Sequence, residues 1–460
     1  MTANAVNMTG SATSSTPARF DFGVIGLGVT GRSVAAFLSG SGQDFCCVDT
    51  REGAAGIDGF RLEFPRTMVM TGRVPAEVYA SCAELVVSPG IDLGSSDLEP
   101  AVASGRPLIG DIELFARSAA APIIAITGTN GKSTVTTMVT DILGTAGIGA
   151  LSGGNLGPPA LDLLALQEPD YYVLEVSSFQ LELTRSLQPE VATVLNISPD
   201  HLDRHRDMSA YAAIKQRVYA RAGKSLVNAD DPLVAHMTVS GERLSFSSRC
   251  PEAADYGVRF KGAAFEILRR GNVFVQVTRS SLAGKHNAEN AMIAAAVCDQ
   301  LGVEAQAIAA ALSTYQPLPH RSVLVAQIDG VRYVDDSKAT NPGAAISSLQ
   351  GIRTPAGTIV ILGGRSKGLP FDRLGEEVAK LAKAAVVIGE AANEIRNEIA
   401  DRIPCIHAGD MAEAVAAATG IAESGDTVLL APACASFDMF EDYIARGAAF
   451  VAAVETVPNR

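Results

Sequence analysis

The chain has 460 residues, of which 47% are hydrophobic and 19% are charged, and it contains 43 glycines. This length and composition predict a compact α/β protein of about three domains and exclude a fibrous or disordered chain. The net charge of −13 argues against a nucleic-acid partner, because a phosphate backbone requires a basic protein face.

Residues 1–19 are rich in Ser, Thr and Ala and lack the apolar run of a secretory signal, so we expect a disordered tail there. No apolar stretch of the sequence reaches the length of a membrane span. The 7 cysteines form no CxxC pair, which is typical of reduced thiols in a reducing compartment. These features predict a cytoplasmic protein that has no membrane partner.

Short apolar runs alternate with helical patterns from Asp21 onward, in the order DFGVIG, TGRSVAAFLSG, FCCVDT and ELVVSPG. This alternation predicts a parallel sheet with helices packed on it. A second block begins near Asp111, where the strand PIIAIT leads into a helix after Lys132 and is followed by YYVLEV and VATVLNI. The later segment RFKGAAFEILRRGNVFVQVT predicts an antiparallel hairpin with a Gly-Asn turn.

The segment 315–322, YQPLPHRS, is polar and carries prolines, so we predict a linker there. Beyond it the strands VRYVDD, GTIVILGG, AAVVIG and DTVLLAP alternate with helices. We therefore predict a Rossmann-like domain at 20–110, a central P-loop ATPase-type domain at 111–317 and a Rossmann-like C-terminal domain at 318–460.

The loop GLGVTG, residues 26–31, follows a strand and opens a helix, and Asp49 follows it at the end of the next strand. This pattern is typical of a dinucleotide site, in which glycines admit a pyrophosphate and the acid binds ribose hydroxyls. A lone GxGxxG is weak evidence, so both a nucleotide or nucleotide-sugar site and a tight turn without a ligand stay open.

A second glycine loop, GTNGKST at 128–134, lies between a predicted strand and a helix. In that setting backbone amides and Lys132 converge on phosphates, and Ser133 or Thr134 can supply a hydroxyl to Mg²⁺. The loop is shorter than the usual P-loop, because Ile126 stands where a glycine is expected. A third loop, GGRSKG at 363–368, is equally consistent with a solvated turn and with an anion clamp.

Three further positions near the second loop can carry chemistry. Glu175 ends an apolar strand, where a charge is costly unless it is paired or binds metal, so we favour a Mg²⁺ ligand over a structural acid. His201 and Asp203 follow the next strand at the same edge, although Mg²⁺ prefers oxygen and a loop histidine is usually only solvated. Lys215 lies among apolar neighbours in a helix, where its stem either extends to water or leaves the amine for a chemical role.

The motifs GTNGKST, LEVSSFQLE, NISPDHLDRH, YAAIKQRVY, GKHNAENAMIAAAV and LPHRS follow one another along the chain. In these motifs the chain resembles the ATP-dependent Mur ligases, which build the peptide stem of bacterial peptidoglycan and use a short G-x-x-G-K-[ST] loop. The segments GLGVTG, SPGI, GDIELF, SGGNLG, DDSKATN, LGGRSKG and APACASFDMF are similar to the branch that adds D-glutamate to UDP-N-acetylmuramoyl-L-alanine. The L-alanine-adding branch and a folylpolyglutamate-type synthase are the alternatives within the family. A NAD-dependent oxidoreductase and a P-loop ATPase that works as a switch are the alternatives outside it.

The resemblance implies a role for each matching position of this sequence. For the UDP substrate it implies Val29, Thr30, Asp49, Thr50, Arg51, Gly90, Asn155, Ser177 and Gln180. For ATP it implies Gly128, Thr129, Asn130, Gly131, Lys132, Ser133, Thr134, Asn287, Asn290, Arg321 and Asp336. For two Mg²⁺ ions it implies Ser133, Glu175, His201 and a carbamate on Lys215, with Lys132, His201 and Lys215 as the catalytic residues.

For D-glutamate the resemblance implies Lys338, Thr340, Lys367, Ser436 and Tyr443, and a dicarboxylate is suited by such cations and hydroxyls. Tyr443 stands where a phenylalanine is expected. The implied reaction forms an acyl phosphate from the substrate carboxylate and ATP, and the amine of D-glutamate then attacks it. We expect the enzyme to act as a monomer on these small-molecule substrates.

Overall fold

The computed structural model describes residues 19–54, 56–202, 204–261, 264–278, 284–352, 356–399 and 401–458. Residues 1–18 of the predicted tail lie outside the described residues. The chain forms two compact units: the first contains the residues up to Ala119 with Pro158–Gln167 and Phe179–Leu187, and the second contains the rest. The boundaries predicted for three domains stay a prediction. Three segments expected in the central domain, 111–119, 158–167 and 179–187, group with the first unit.

The first unit is built on a five-stranded sheet. Its strands are β1 Phe20–Ile25, β2 Phe45–Asp49, β3 Met68–Thr71, β4 Cys82–Val87 and β5 Leu108–Ile109. They are all parallel, in the order β3-β2-β1-β4-β5. The helices that connect or follow them are α1 Val29–Gly40, α2 Ile57–Glu63, α3 Ala76–Ala80, α4 Glu99–Ala103 and α5 Asp111–Ser118. The apolar runs of β1, β2 and β4 are buried in one core, as the sequence predicts for a parallel sheet.

The second sheet has nine strands. They are β6 Ile123–Thr127, β7 Ala150–Gly154, β8 Tyr171–Glu175, β9 Val191–Val194, β10 Lys224–Asn228, β11 Glu242–Ser247, β12 Tyr256–Lys261, β13 Ala264–Arg269 and β14 Asn272–Val277. Their order is β14-β13-β12-β11-β10-β9-β6-β8-β7. The helices of this part of the chain are α6 Lys132–Thr145, α7 Ala160–Leu163, α8 Ser178–Glu182, α9 Met208–Gln216, α10 Pro232–Ala235, α11 Lys285–Gln300 and α12 Ala305–Thr314.

The predicted hairpin forms, but its turn lies one residue earlier than expected. β13 and β14 pair in antiparallel fashion with Arg269 opposite Asn272, so the turn residues are Arg270 and Gly271. Their φ angles are 49° and 77°. Two positive φ angles characterise the hairpin turn whose twist matches that of the strands, and this requirement places the glycine at the second turn position.

The third sheet follows residues 315–322, where the linker is predicted. Its strands are β15 Val323–Ile328, β16 Val331–Asp335, β17 Thr358–Gly363, β18 Ala384–Ile388, β19 Cys405–His407 and β20 Thr427–Leu430. The order is β15-β16-β20-β17-β18-β19, and β15 is antiparallel to β16. The helices are α13 Pro342–Gly351, α14 Asp372–Leu381, α15 Ala392–Ile399, α16 Met411–Ile421 and α17 Tyr443–Glu455. Separate apolar clusters cover its two faces, which makes the sheet doubly wound. Within the described residues, no helix is both long enough and apolar enough to cross a bilayer.

Candidate active site

The second glycine loop joins β6 to α6, as its sequence predicts. Gly131 has a φ of +86°, and a Cβ at this position would lie 2.7 Å from Asn290 Oδ1, so a glycine is required. Lys132 is the first residue of α6, and its Nζ donates to Thr129 O over 2.9 Å. Burial lowers the pKa of Lys132. A helix N-terminus beside a buried lysine forms a site at which a polyanion offsets the cost of that burial.

The loop opens into a cavity of about 770 Å³ in the second unit. Arg321 lines this cavity, and its Nη2 donates a hydrogen bond to Ser133 Oγ over 2.7 Å. Burial raises the pKa of Asp336, at the cavity wall, to about 6. The cavity is lined by all of the residues expected to contact ATP except Gly128, namely Thr129, Asn130, Gly131, Lys132, Ser133, Thr134, Asn287, Asn290, Arg321 and Asp336.

Glu175 reaches this cavity because β8 lies beside β6, with Glu175 opposite Ile126. Its Oε1 accepts a hydrogen bond from Asn155 Nδ2 over 2.5 Å, whereas Oε2 is buried without a hydrogen-bond partner among the described residues. Burial alone would raise the pKa of Glu175, but the charge of Lys132 together with hydrogen bonds from Ser133 and Asn155 outweighs it, and the pKa is lowered. An ionised, buried carboxylate with an unused oxygen fits a hard metal ion.

His201 lines the same cavity, in the loop after β9, and has a φ of 54°. Asp203 lies outside the described residues. Among the residues that the structure describes, no three His, Cys, Asp or Glu side chains converge as a complete metal site. A magnesium site here therefore has to be completed by other oxygen atoms, such as hydroxyls and phosphates, which Mg²⁺ accepts readily.

Lys215, on α9, is 1% exposed and does not line the cavity. Its Nζ donates to Thr127 Oγ1 over 3.3 Å and lies 4.8 Å from the centre of the Tyr211 ring. The alternative in which the stem extends to water does not apply. Burial, with the nearby charge of Lys132, lowers the pKa of Lys215 well below its ordinary value. A lysine so placed is readily deprotonated, and a neutral amine is a nucleophile.

The residues expected to bind the amino acid lie in loops that follow strands of the third sheet and at the start of α17. Lys338, Thr340, Lys367 and Tyr443 line the cavity of about 770 Å³, whereas Ser436 is buried and does not line it. Lys338 lies with its Nζ 3.6 Å from the centre of the Tyr443 ring. Burial lowers the pKa of Lys338 to about 8. Lys367 comes from the third glycine loop, so this loop contributes a cation to the cavity.

Two residues that the sequence did not single out connect the second and third sheets. Asp200 accepts a hydrogen bond from Lys367 Nζ over 3.0 Å and from Asn341 Nδ2 over 3.1 Å. Asn341 also donates to Asn130 Oδ1 over 3.1 Å, and its own side-chain oxygen caps α13. The sequence holds signals for both, since Asp200 precedes His201 in one motif and Asn-Pro typically starts a helix.

The first unit contains a cavity of about 450 Å³. Asp49 lies at its base, where Oδ2 accepts from Leu27 N over 3.1 Å and Oδ1 accepts from Arg51 Nε over 2.9 Å. Both oxygens are therefore hydrogen-bonded within the protein. Six of the residues expected to hold the UDP group line this cavity: Val29, Thr30, Asp49, Thr50, Arg51 and Gly90.

The other three residues expected to bind the UDP substrate do not line this cavity. Asn155 lines the cavity of the second unit and holds Glu175, and Ser177 lies between β8 and α8 without lining that cavity. Gln180 is buried in the first unit, where its Nε2 donates to Asp111 Oδ2 over 2.9 Å.

The fold and the site define an α/β enzyme of the P-loop nucleotide-binding class, with a cation-rich pocket beside the phosphate loop. Family models match three consecutive parts of the chain: Mur ligase MurD-like, N-terminal domain at 21–110, Mur ligase middle domain at 126–298, and Mur ligase, glutamate ligase domain at 320–434. The chain belongs to the Mur ligase family, whose members use ATP. The predicted three-domain α/β fold is thereby confirmed.

Curated relatives extend over nearly the whole chain. A UDP-N-acetylmuramoylalanine--D-glutamate ligase of Nitrosococcus oceani is 41% identical over 94% of this chain and 96% of that protein. A protein of the same name from Methylococcus capsulatus is 43% identical over 94% of each chain. Among solved structures, the MurF ligase from Thermotoga maritima in complex with ADP has a TM-score of 0.61 and 17% identity, and covers 81% of this chain and 94% of that one. At that identity the structural likeness concerns the fold alone.

Proposed function

We propose that the chain is an ATP-dependent ligase that joins D-glutamate to UDP-N-acetylmuramoyl-L-alanine, in the synthesis of peptidoglycan precursors. The observation that carries this proposal is the 41% identity, over 94% of the chain, with a ligase named for these two substrates. The cavity beside the phosphate loop supports it, because a reaction between polyanions needs fixed cations. Lys132, Arg321, Lys338 and Lys367 supply them. The enzyme acts as a monomer in the cytoplasm.

In the first step a carboxylate oxygen of the UDP substrate bonds to the γ-phosphorus of ATP, and the bond from that phosphorus to ADP breaks. The two reactants repel each other, so the enzyme has to lower the negative charge where they meet. Lys132, held at the N-terminus of α6, and Arg321, held on Ser133, are positioned for that task. Both are fixed before the reaction and need no reorganisation during it.

In the second step the neutral amine of D-glutamate attacks the acyl carbon, a C–N bond forms, and the C–O bond to phosphate breaks. The amine loses a proton in the process. Lys338 and Lys367 are proposed to hold the carboxylates of the amino acid, with Thr340, Ser436 and Tyr443 completing the pocket. Water must be kept from the acyl phosphate, and Asn341 joins the second and third sheets here through its hydrogen bonds to Asp200 and Asn130.

The metal ions are part of the proposal. Ser133, Glu175 and His201 would hold two Mg²⁺ ions, with a carbamate on Lys215 as a further anionic ligand, and the buried unpartnered Oε2 of Glu175 supports this assignment. Bound Mg²⁺ would supply charge neutralisation at the transferring phosphoryl group. The six residues that line the cavity of the first unit are proposed to hold the UDP group.

The test is the release of phosphate from Mg-ATP in the presence of UDP-N-acetylmuramoyl-L-alanine. No amino acid, D-glutamate, L-glutamate and L-alanine are compared in parallel. We expect release only with D-glutamate. Release with L-alanine, with UDP-N-acetylmuramate as the other substrate, would assign the chain to the L-alanine-adding branch. Release that does not depend on any amino acid would indicate an ATPase, and no release in any mixture would overturn the proposed substrates.

A further inference from the structure

The ammonium of Lys338 has an unusual partner. Its Nζ lies 3.6 Å from the centre of the Tyr443 ring, which is well inside the range of a cation–π contact. Among the described residues, the ammonium makes no hydrogen bond or ion pair. Lys367, in the same cavity, is instead paired with the carboxylate of Asp200 over 3.0 Å. The two lysines thus differ in whether their charge is already neutralised.

A ring face and a carboxylate hold a lysine in different ways. A carboxylate neutralises the charge and occupies N–H groups of the ammonium. The ring attracts the cation through its quadrupole and leaves both the net charge and the N–H donors for another anion. A lysine on a flexible stem otherwise has to lose rotational freedom when its ligand binds, and an ammonium that is already in place avoids this cost.

The ring itself is held firmly. Tyr443 is the first residue of α17, which is capped by Asp442, and its carbonyl oxygen accepts a hydrogen bond from Ser337 Oγ over 2.8 Å. Ser337 precedes Lys338, so ring and ammonium are fixed to each other through neighbouring backbone. The edge of the His320 ring packs against the Tyr443 ring, with the centres 6.3 Å apart at an interplanar angle of 82°.

We infer that Tyr443 is a positioning residue: its ring holds the Lys338 ammonium charged and aimed into the cavity, ready for a carboxylate of the incoming amino acid. This inference rests on the proposed function for the identity of that amino acid. The positioning of Lys338 depends on the aromatic ring and not on the tyrosine hydroxyl. A phenylalanine at position 443 therefore preserves it, and an aliphatic residue abolishes it.

The charge on Lys338 also depends on its other neighbours. Burial lowers its pKa to about 8. The cations Arg321, Lys132 and Lys367 lower this pKa, and Glu175 raises it. Asp336 lines the same cavity, and His320, which is paired with Asp335, packs against the Tyr443 ring. All of these are retained when only the ring at position 443 is changed, so the ring's contribution can be measured separately.

The test compares Tyr443→Leu and Tyr443→Phe with the parent enzyme. In Tyr443→Leu we expect the KM for D-glutamate to rise by about 5-fold, with the KM for ATP unchanged. In the same variant, the alkaline limb of the pH profile of kcat/KM for D-glutamate should move about half a pH unit lower, because the ring favours the charged form of Lys338. Tyr443→Phe should restore most of the affinity. Phe437→Leu is the matched control, since Phe437 is an exposed ring in the segment that precedes α17, and it should leave the KM for D-glutamate unchanged.

A second readout needs no substrate. Trace acetylation of Lys338 at a series of pH values, quantified by peptide mass spectrometry on the nucleotide-free protein, reports the pKa of its amine directly. A lower pKa in Tyr443→Leu, and not in Tyr443→Phe, supports the inference even if D-glutamate proves to be the wrong amino acid. Equal pKa values in both variants, or equal changes in the KM values for ATP and D-glutamate, would overturn it.

Discussion

Replacing Lys132 by methionine separates the catalytic role of a buried charge from its effect on stability. Methionine keeps most of the stem and removes the ammonium. The hydrogen bond from Nζ to Thr129 O, 2.9 Å long, is lost at a cost of about 1 kcal/mol. Against this stands the burial of the charge, which lowers the pKa of Lys132 although the carboxylates of Glu175 and Asp200 raise it. We therefore expect the nucleotide-free variant to melt at the same temperature as the parent or above it.

The activity should change in the opposite direction. Loss of one fixed positive charge from a phosphoryl-transfer site lowers kcat/KM by about 10³ or more, which corresponds to about 4 kcal/mol of transition-state stabilisation. Phosphate release measures the activity, and calorimetry with and without ADP measures the stability. Lys380→Met is the matched control, because Lys380 is 61% exposed on its side chain and pairs with Glu377 at the surface. It should change neither quantity appreciably.

The sign of the pH dependence gives an additional check. The pKa of Lys132 is lower in the folded protein than its ordinary value of 10.5, so charge on Lys132 opposes folding at neutral pH. That penalty fades as pH rises through the folded pKa towards the unfolded one. The gain in melting temperature of Lys132→Met should therefore be largest near pH 7 and shrink as pH rises towards 10.5. A kcat/KM within tenfold of the parent would refute the phosphate assignment, and a clear loss of stability at pH 7 would refute the electrostatic argument.

Two further predictions concern other buried groups. Lys215→Ala should lower turnover by about 10²-fold or more. Formate or acetate should restore part of this turnover by replacing the anionic oxygen of a carbamate. The same salts should not raise the turnover of a Lys224→Ala control. Asp49→Asn should destabilise the first unit at neutral pH, because hydrogen bonds with Arg51 and Leu27 outweigh burial and lower the pKa of Asp49. This contribution is present above the unfolded pKa of about 3.9 and is lost as pH falls through the folded value, so the two melting temperatures should converge once the pH is below the folded pKa. A constant difference across that range, measured by calorimetry, would contradict the assignment.

Much of the fold follows from local pattern. The strands before and beside the phosphate loop are short, fully apolar runs, and a parallel sheet requires their carboxyl ends to meet at one edge. That rule correctly predicted that Glu175 would lie beside Lys132. The sequence prediction placed the hairpin turn one residue too late. A Gly-Asn pair and an Arg-Gly pair are both compatible with a two-residue loop, and only the strand register decides between them.

Contacts between distant parts of the chain were not predictable in the same way. Asp200 and Lys367 are 167 residues apart, and nothing in either segment specifies the other. The contact of Lys338 with the Tyr443 ring likewise depends on the meeting of the loop after β16 with the start of α17. The family resemblance placed both residues in one pocket, but it gave no reason for the tyrosine. The grouping of 158–167 and 179–187 with the first unit also depends on tertiary packing, which local propensity does not encode.

The ion pair between Asp200 and Lys367 has a consequence for how an amino acid enters and leaves. A substrate carboxylate that reaches Lys367 replaces one carboxylate with another, so this exchange contributes little net affinity. An uncharged side chain leaves the pair of Asp200 and Lys367 in place, so only a carboxylate takes part in this exchange. At Lys367 the pocket thus behaves as an ion exchanger: this lysine is paired with Asp200 before the amino acid arrives, and the same internal counter-ion can return when the product departs.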